Sequence, residues 1–211
     1  MESLAGRYLY KLAANISSVP LFLVMEAVLP RALGPAAYGN FNFSTALFQN
    51  FTNFLDLGTS TCLTTMLAKR PREFGPAAFY ARPAAIVPVF GLLLAGCCYL
   101  PGVGEALLPG VPLWLVFPAV LWAWLTWVGR VARGMNDALG LTAASERVRM
   151  GGSVLSACLL VVLYAAGVLD LPVLFVQQYV ILALTGAGFL LTMRDSWERP
   201  LRWTLTENEL R

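Results

Sequence analysis

The sequence contains no histidine, and only 13% of its 211 residues are charged. Without histidine the chain has no imidazole metal ligand, no histidine base and no serine–histidine triad, which excludes a large part of enzyme chemistry. Soluble domains carry about 25% charged residues, so this chain has too little polar surface to remain folded in water. We therefore predict an integral membrane protein.

The few cysteines form no recognisable site either. All four fall inside apolar stretches, without a CxxC pair or the spacing of metal ligands: Cys62, Cys97, Cys98 and Cys158. Such cysteines are typical of small apolar packing residues. We expect no catalytic residue, no metal site and no cofactor, and hence a protein that is not an enzyme.

Apolar residues, in contrast, make up 58% of the chain and give it a mean hydropathy of +0.66. They form long stretches with few charges, each about as long as a helix needs to cross a hydrocarbon core about 30 Å thick. We predict an all-α bundle of six transmembrane helices within residues 1–193, followed by a polar tail over residues 194–211. The predicted helices span residues 12–29, 41–67, 78–100, 111–130, 148–169 and 171–193.

The positive charges predict the orientation of this bundle. Every lysine and arginine except Arg31 falls before the first helix, around the connections between helices two and three and between four and five, or after the sixth. These positions all lie on one side of a six-span bundle. Because cytoplasmic connections carry an excess of lysine and arginine, we predict that both termini are cytoplasmic.

The second predicted helix carries an unusual number of polar side chains. Five of them recur at helical spacing and share one face: Asn42, Gln49, Asn53, Asp56 and Ser60. Lipid tolerates such a face poorly, above all an ionised Asp56 near the middle of a span. The stripe either lines a wet cavity or joins helices by hydrogen bonds, and its length favours the cavity.

Other charged and polar residues are candidates for the same cavity. Glu26 and Arg31, in the outer part of the first helix, either pair with each other or face the cavity and bind an anionic or proton-coupled ligand. Arginines around the fourth connection either set topology and contact lipid headgroups or contact a substrate phosphate: Arg130, Arg133, Arg147 and Arg149. Gln177 and Gln178 are weaker candidates for the lining.

Three short elements resemble motifs of the polysaccharide-biosynthesis flippases. Residues Pro30 to Gly39 resemble their R-x-LGP-x-x-YG loop, and Asp56-Leu57-Gly58 resembles the DLG element that ends their second helix. Arg133-Gly134-Met135, leading to Asp137, resembles their R-G-x-G-R-x connection without its second glycine and arginine. Over residues 12–193 the chain is similar to a Wzx-like O-antigen or exopolysaccharide transporter of the MOP (multidrug/oligosaccharidyl-lipid/polysaccharide) superfamily.

The resemblance implies a bacterial inner-membrane protein that translocates oligosaccharides linked to undecaprenyl diphosphate. It also implies two lobes of six or seven helices that work by alternating access. The six helices predicted here correspond to the N-terminal lobe. We therefore expect either a fragment, or a chain completed by a separately encoded lobe or by a second copy. Membrane lipids are the other expected contact, and nucleic acid is not expected.

The residues that we expect to contact the substrate or line its cavity are Asn42, Gln49, Asn53, Asp56, Glu26, Arg31 and Arg133. Other functions remain open beside the flippase. One is an ion-coupled exporter of small molecules, in which Asp56 or Glu26 is the coupling carboxylate. Another is a membrane-embedded enzyme of glycan or lipid synthesis, although the sequence has no GxSG, HExxH or repeated aspartate motif. A structural subunit is the last.

Overall fold

The computed structural model describes residues 4–69, 80 and 84–194, and every regular element among them is helical. This confirms the predicted all-α class for that part of the chain. A short 3₁₀ turn over Leu113–Leu115 leads into the sixth helix. The α-helices are α1 (Leu4–Leu33), α2 (Pro35–Asp56), α3 (Thr59–Lys69), α4 (Ile86–Cys97), α5 (Val103–Leu107), α6 (Val116–Ala138), α7 (Thr142–Ala165) and α8 (Leu171–Met193).

Within the described residues, four segments are long and apolar enough to cross a membrane, namely Tyr8–Leu33, Leu113–Ala138, Thr142–Ala165 and Leu171–Met193. They coincide with α1, α6, α7 and α8. Large apolar side chains on these helices are widely exposed, for example Phe22 at 60%, Val162 at 62% and Leu191 at 65%. Soluble monomers rarely expose large contiguous apolar patches. These surfaces are compatible with lipid contact and with a multi-pass membrane protein.

The second predicted span, residues 41–67, is not one continuous helix. α2 begins earlier, at Pro35, and ends at Asp56, and α3 starts only at Thr59. Between them Leu57 and Gly58 have φ angles of 45° and 79°, in the left-handed region through which a right-handed helix cannot continue. The prediction was wrong here because hydropathy and periodicity do not register a reversal of backbone hand.

The break between α1 and α2 consists of a single residue. Gly34 has φ 79° and precedes Pro35 at the first position of α2. Glycine adopts this conformation without a Cβ clash, and proline suits a helix start because its missing N–H has no partner there. The predicted loop is therefore a one-residue turn at Gly34, and α1 extends beyond its predicted end at residue 29 to Leu33.

Several other predicted ends also moved. α1 begins at Leu4 rather than at residue 12, and α6 continues past residue 130 to Ala138. α7 starts at Thr142, ahead of residue 148. In each case the helix extends beyond the apolar run into polar residues, because backbone hydrogen bonding continues where hydropathy falls.

The structure describes only part of the third predicted span but all of the sixth. The third, residues 78–100, contains α4 and Tyr80, but residues 78, 79 and 81–83 lie outside the described residues. The sixth, residues 171–193, coincides in its bounds with helix α8. The predicted polar tail lies outside the described residues from position 195 onward.

Helix α6 is the centre of the bundle. It packs on α2, α3, α4 and α8, while α1 packs mainly on α7 and α7 packs on α8. Because α1 also touches α2, the contacts form a ring in the order α1, α2, α6, α8, α7. The candidate site lies between four of these helices, α1, α6, α7 and α8.

Buried polar side chains join the helices on one side of that ring. The Asn136 amide donates to the Phe189 carbonyl oxygen at 3.2 Å, and its own oxygen accepts from the Thr192 hydroxyl at 2.7 Å. Gln177 donates to the Ser156 hydroxyl at 3.0 Å. These bonds hold α8 against both α6 and α7. They also assign Gln177, a candidate lining residue, to interhelical bonding.

Candidate functional site

A cleft of about 610 Å³ opens between α1, α6, α7 and α8. Apolar side chains form most of its wall, namely Val19, Leu21, Phe22 and Met25 from α1, and Ile181, Leu182 and Phe189 from α8. Hydroxyl and amide groups interrupt this wall at Ser18, Thr126, Ser153, Ser156, Gln178 and Thr185. The cleft therefore offers both apolar contact and hydrogen bonds.

Three arginines line this cleft, Arg130 and Arg133 from α6 and Arg149 from α7. No aspartate or glutamate is among the described residues of its lining. Arg130 and Arg133 are three residues apart and hence on the same side of α6. The short turn between α6 and α7, with Gly140 at φ 82°, brings Arg149 to the same end of the bundle.

The three guanidinium groups differ in their partners. Arg149 Nε donates to the Glu146 carboxylate at 2.7 Å, which offsets its charge, and Arg149 Nη2 donates to Asn15 Oδ1 at 3.3 Å. Arg130 Nη1 donates to the neutral amide oxygen of Asn53 at 2.6 Å. Within the described part of the chain, neither Arg130 nor Arg133 pairs with a carboxylate. The cleft therefore keeps a positive charge.

Two contacts tie α1 to its neighbours on either side of the cleft lining. Lys11 Nζ lies 2.8 Å from Asp137 Oδ2 and links the start of α1 to the end of α6. Towards the other end of α1, the Tyr38 hydroxyl donates to the Glu26 carboxylate and links α1 to α2. The α1 residues that line the cleft, from Ser18 to Met25, lie between these two contacts.

Of the seven predicted site residues, the structure places Arg133 in the cleft lining. Asn53 reaches the edge of the cleft through its bond to Arg130. Gln49 follows one step further out, because its Nε2 donates to Asn53 Oδ1 at 3.2 Å. Arg130 therefore connects the cleft to two residues of the polar stripe, Asn53 and Gln49.

The other four predicted residues lie outside the cleft. Glu26 accepts from Tyr38. Arg31 is exposed and makes no ion pair with Glu26 or with any other residue the structure describes. Asn42 is exposed on α2. Asp56 lies at the helix break.

The Asp56 carboxylate accepts hydrogen bonds from the first residues of α3. Its donors are the Ser60 hydroxyl at 2.6 Å, the Thr59 hydroxyl at 2.9 Å and the Ser60 backbone N–H at 3.2 Å, and the Tyr80 hydroxyl lies 3.3 Å away. A carboxylate in this position satisfies N–H groups that a helix start leaves unpaired. Asp56 therefore acts as the cap of α3 across the break.

The face of α2 that packs inside the bundle is not the polar stripe. It consists of Phe41, Ser44, Thr45, Phe48 and Thr52, and the three hydroxyls among them bond to backbone oxygens one turn earlier. Asn42 and Asn53 are exposed. The stripe therefore lies on a side of α2 that the described helices leave largely open.

Sequence reasoning left several cleft residues uncommitted. For Arg130, Arg147 and Arg149 the sequence left two roles open, contact with lipid headgroups or contact with a substrate phosphate. The structure places Arg130 and Arg149 in the cleft lining and leaves Arg147 exposed outside it. Ser153 and Ser156 carried a usable signal, because small polar residues three apart follow Gly152 on one side of α7. The described residues include no group of three His, Cys, Asp or Glu side chains arranged to hold a metal ion.

Comparison with known proteins adds no relative to this description. No family model, no curated protein and no solved structure matches the chain significantly. The resemblance to Wzx-like flippases therefore rests on the motifs quoted above. The function must be argued from the geometry of the cleft.

Proposed function

We propose that this chain is one lobe of a transporter that moves a lipid-linked oligosaccharide across a bacterial inner membrane. The observation that supports it best is the cleft, in which three arginines face a wall of apolar side chains. The resemblance of three short motifs to those of Wzx-like flippases adds the expected substrate, a sugar carried on undecaprenyl diphosphate.

The chemistry of the cleft suits the two unlike ends of such a substrate. Guanidinium groups donate paired, charge-assisted hydrogen bonds to phosphate oxygens, and these bonds strengthen where water is scarce. The apolar residues of α1 and α8 offer a surface to the polyprenyl chain. Serine, threonine and glutamine side chains provide partners for sugar hydroxyls. Translocation breaks no covalent bond, so the proposal requires no nucleophile, base or cofactor.

The proposed topology has six spans with both termini in the cytoplasm. Four of them are the long apolar helices, and the other two are α2 with α3 and the segment that contains α4. α2 has 22 residues and is therefore about 33 Å long at 1.5 Å per residue, enough to cross a hydrocarbon core. In this orientation the three cleft arginines lie in the cytoplasmic half of the membrane, where Arg130 and Arg133 approach the end of α6.

The exposed polar side of α2 supports a partner. Asn42 and Asn53 are exposed in the single chain. The Asn53 oxygen already accepts from Arg130 and Gln49, but amide N–H groups facing acyl chains are unfavourable because lipid offers them no hydrogen bond. A second lobe or a second copy of the chain would cover them. We propose that one of these two completes the transporter.

Binding of two lipids that share the polyprenyl chain, one with a diphosphate and one with a hydroxyl, tests the proposed substrate. The purified chain in neutral detergent is incubated with undecaprenyl diphosphate or with undecaprenol, and the retained lipid is quantified by mass spectrometry. We expect retention of the diphosphate and little retention of the alcohol. Equal retention of both would show that the arginines recognise nothing, and would overturn the proposal.

Two matched variants locate the site. Arg133→Gln removes a guanidinium from the cleft, whereas Arg31→Gln removes one from an exposed position outside it. We expect Arg133→Gln to weaken diphosphate binding by about tenfold or more, as loss of a charge-assisted bond does, and Arg31→Gln to leave it unchanged. Equal effects would indicate attraction by net charge rather than binding in the cleft.

A further inference from the structure

The contact between Arg130 and α2 joins the cleft to the polar stripe. Arg130 Nη1 lies 2.6 Å from Asn53 Oδ1, and Gln49 Nε2 lies 3.2 Å from the same oxygen. Gln49 and Asn53 are one turn apart on α2, and Arg130 belongs to α6. One amide oxygen therefore receives two donors, one of them from a residue that lines the cleft.

The identity of the two partners determines how the Asn53 amide is oriented. Arginine has only donors, so Asn53 must turn its oxygen rather than its NH₂ towards Arg130. Gln49 donates to that oxygen as well. The bond occupies one guanidinium N–H and leaves the others of Arg130 for a ligand.

The Arg130 contact differs from the Arg149 contact in the charge of the partner side chain. Arg149 is held by the carboxylate of Glu146 at 2.7 Å, so its charge is offset by its anchor. Arg130 is held by a neutral amide, which restrains the guanidinium without cancelling its charge. An arginine side chain is long and loses considerable rotamer entropy when a ligand immobilises it. Restraining it beforehand removes part of that penalty and preserves the attraction for an anion.

We propose that Asn53 is a positioning residue, which holds the Arg130 guanidinium at the edge of the cleft in readiness for the anionic diphosphate of the substrate. Gln49 supports Asn53 from one turn away. The inference rests on the proposed function, because it names a residue that prepares the same site. It also gives the inner part of the polar stripe a role that does not require Asn53 to touch the substrate.

The test measures binding of inorganic pyrophosphate to the purified full chain in neutral detergent by isothermal titration calorimetry at fixed ionic strength. Asn53→Ala frees Arg130 and should weaken binding by about fivefold, a modest part of a charge-assisted bond. Asn42→Ala is the matched control, because it removes an exposed amide from the same helix away from Arg130. It should change binding by less than about twofold, the scale of a substitution that touches neither the ligand nor its partners.

Asn53→Asp tests whether the charge of Arg130 at this contact takes part in binding. The carboxylate would hold Arg130 more firmly but neutralise it, so pyrophosphate binding should fall by about tenfold while the melting temperature stays level or rises. If the charge of Arg130 at this contact takes no part in binding, Asn53→Asp should leave binding unchanged. That result would overturn the inference, as would full binding by Asn53→Ala.

The outcomes also separate this inference from the proposed function. If the unmodified chain binds no pyrophosphate, both fall. If Arg133→Gln abolishes binding while Asn53→Ala and Asn53→Asp leave it intact, the cleft remains the anion site and the positioning role is wrong. If Asn53→Gln, which keeps an amide oxygen, restores part of the affinity lost in Asn53→Ala, the role of the amide oxygen is supported.

Discussion

The helix break between α2 and α3 can be tested by adding a single methyl group. Gly58 has φ 79°, and a Cβ built there would meet no atom within 4 Å. The expected effect of Gly58→Ala is therefore conformational rather than steric. A left-handed backbone costs a residue with a Cβ about 1–2 kcal/mol. Gly58→Ala should lower the free energy of unfolding by this amount, because alanine brings a Cβ to a residue held at positive φ.

Gly151→Ala is the matched control for this prediction. Gly151 lies inside α7, is exposed, and a Cβ there would likewise meet no atom within 4 Å. In a helix interior alanine is more favourable than glycine by about 1 kcal/mol. The same substitution should therefore have the opposite sign at the two positions.

Thermal unfolding of the purified variants in mild detergent measures both effects. For a chain of this size, about 1 kcal/mol corresponds to a shift of roughly 2–4 °C in melting temperature. We expect Gly58→Ala to melt about 2–8 °C below the unmodified chain, and Gly151→Ala to melt at or up to about 4 °C above it. Shifts of equal sign and size would mean that α2 and α3 form one continuous helix.

Three further predictions concern topology, packing and assembly. Reporter fusions at Arg147 should report cytoplasm and fusions at Glu105 the opposite side, and a cytoplasmic signal at Glu105 would contradict six spans. A Cβ at Gly152 would lie 2.1 Å from Thr185 Cγ2, so Gly152→Ala should separate α7 from α8 and cost about 1–3 kcal/mol. Thr185→Ala in the same chain should recover part of that loss of thermal stability. Mass measurement in mild detergent should find a complex, and a thermally stable monomer would argue against a partner for the exposed side of α2.

The sixth span shows what local sequence alone can specify. Asp170 accepts from the backbone N–H of Val173 at 2.9 Å, Pro172 occupies the first turn, and an uncharged, mostly apolar run follows to Met193. Cap, proline and apolar length all mark the same helix, and none depends on distant residues. Both predicted ends were therefore correct.

The second predicted helix, residues 41–67, shows where such reasoning stops. The motif Asp56-Leu57-Gly58 resembles a motif that ends a helix, but its sequence does not reveal the backbone conformation that causes the break. Two residues with positive φ break the helix, and Asp56 caps the helix that follows. Apolar periodicity continues across the break, so a pattern based on hydropathy predicts one helix where the backbone forms two.

What the sequence determined by itself is the helical class, the apolar spans and the set of cationic candidates. These follow from composition and from backbone hydrogen bonds, which each helix makes within its own segment. Only the tertiary structure decided which candidates share a site. Arg147 and Arg149 are two residues apart, which is about 200° around a helix, so they point to different sides of α7. Sequence spacing gives that angle between them, but the side that faces the cleft depends on how α7 packs against α1 and α8.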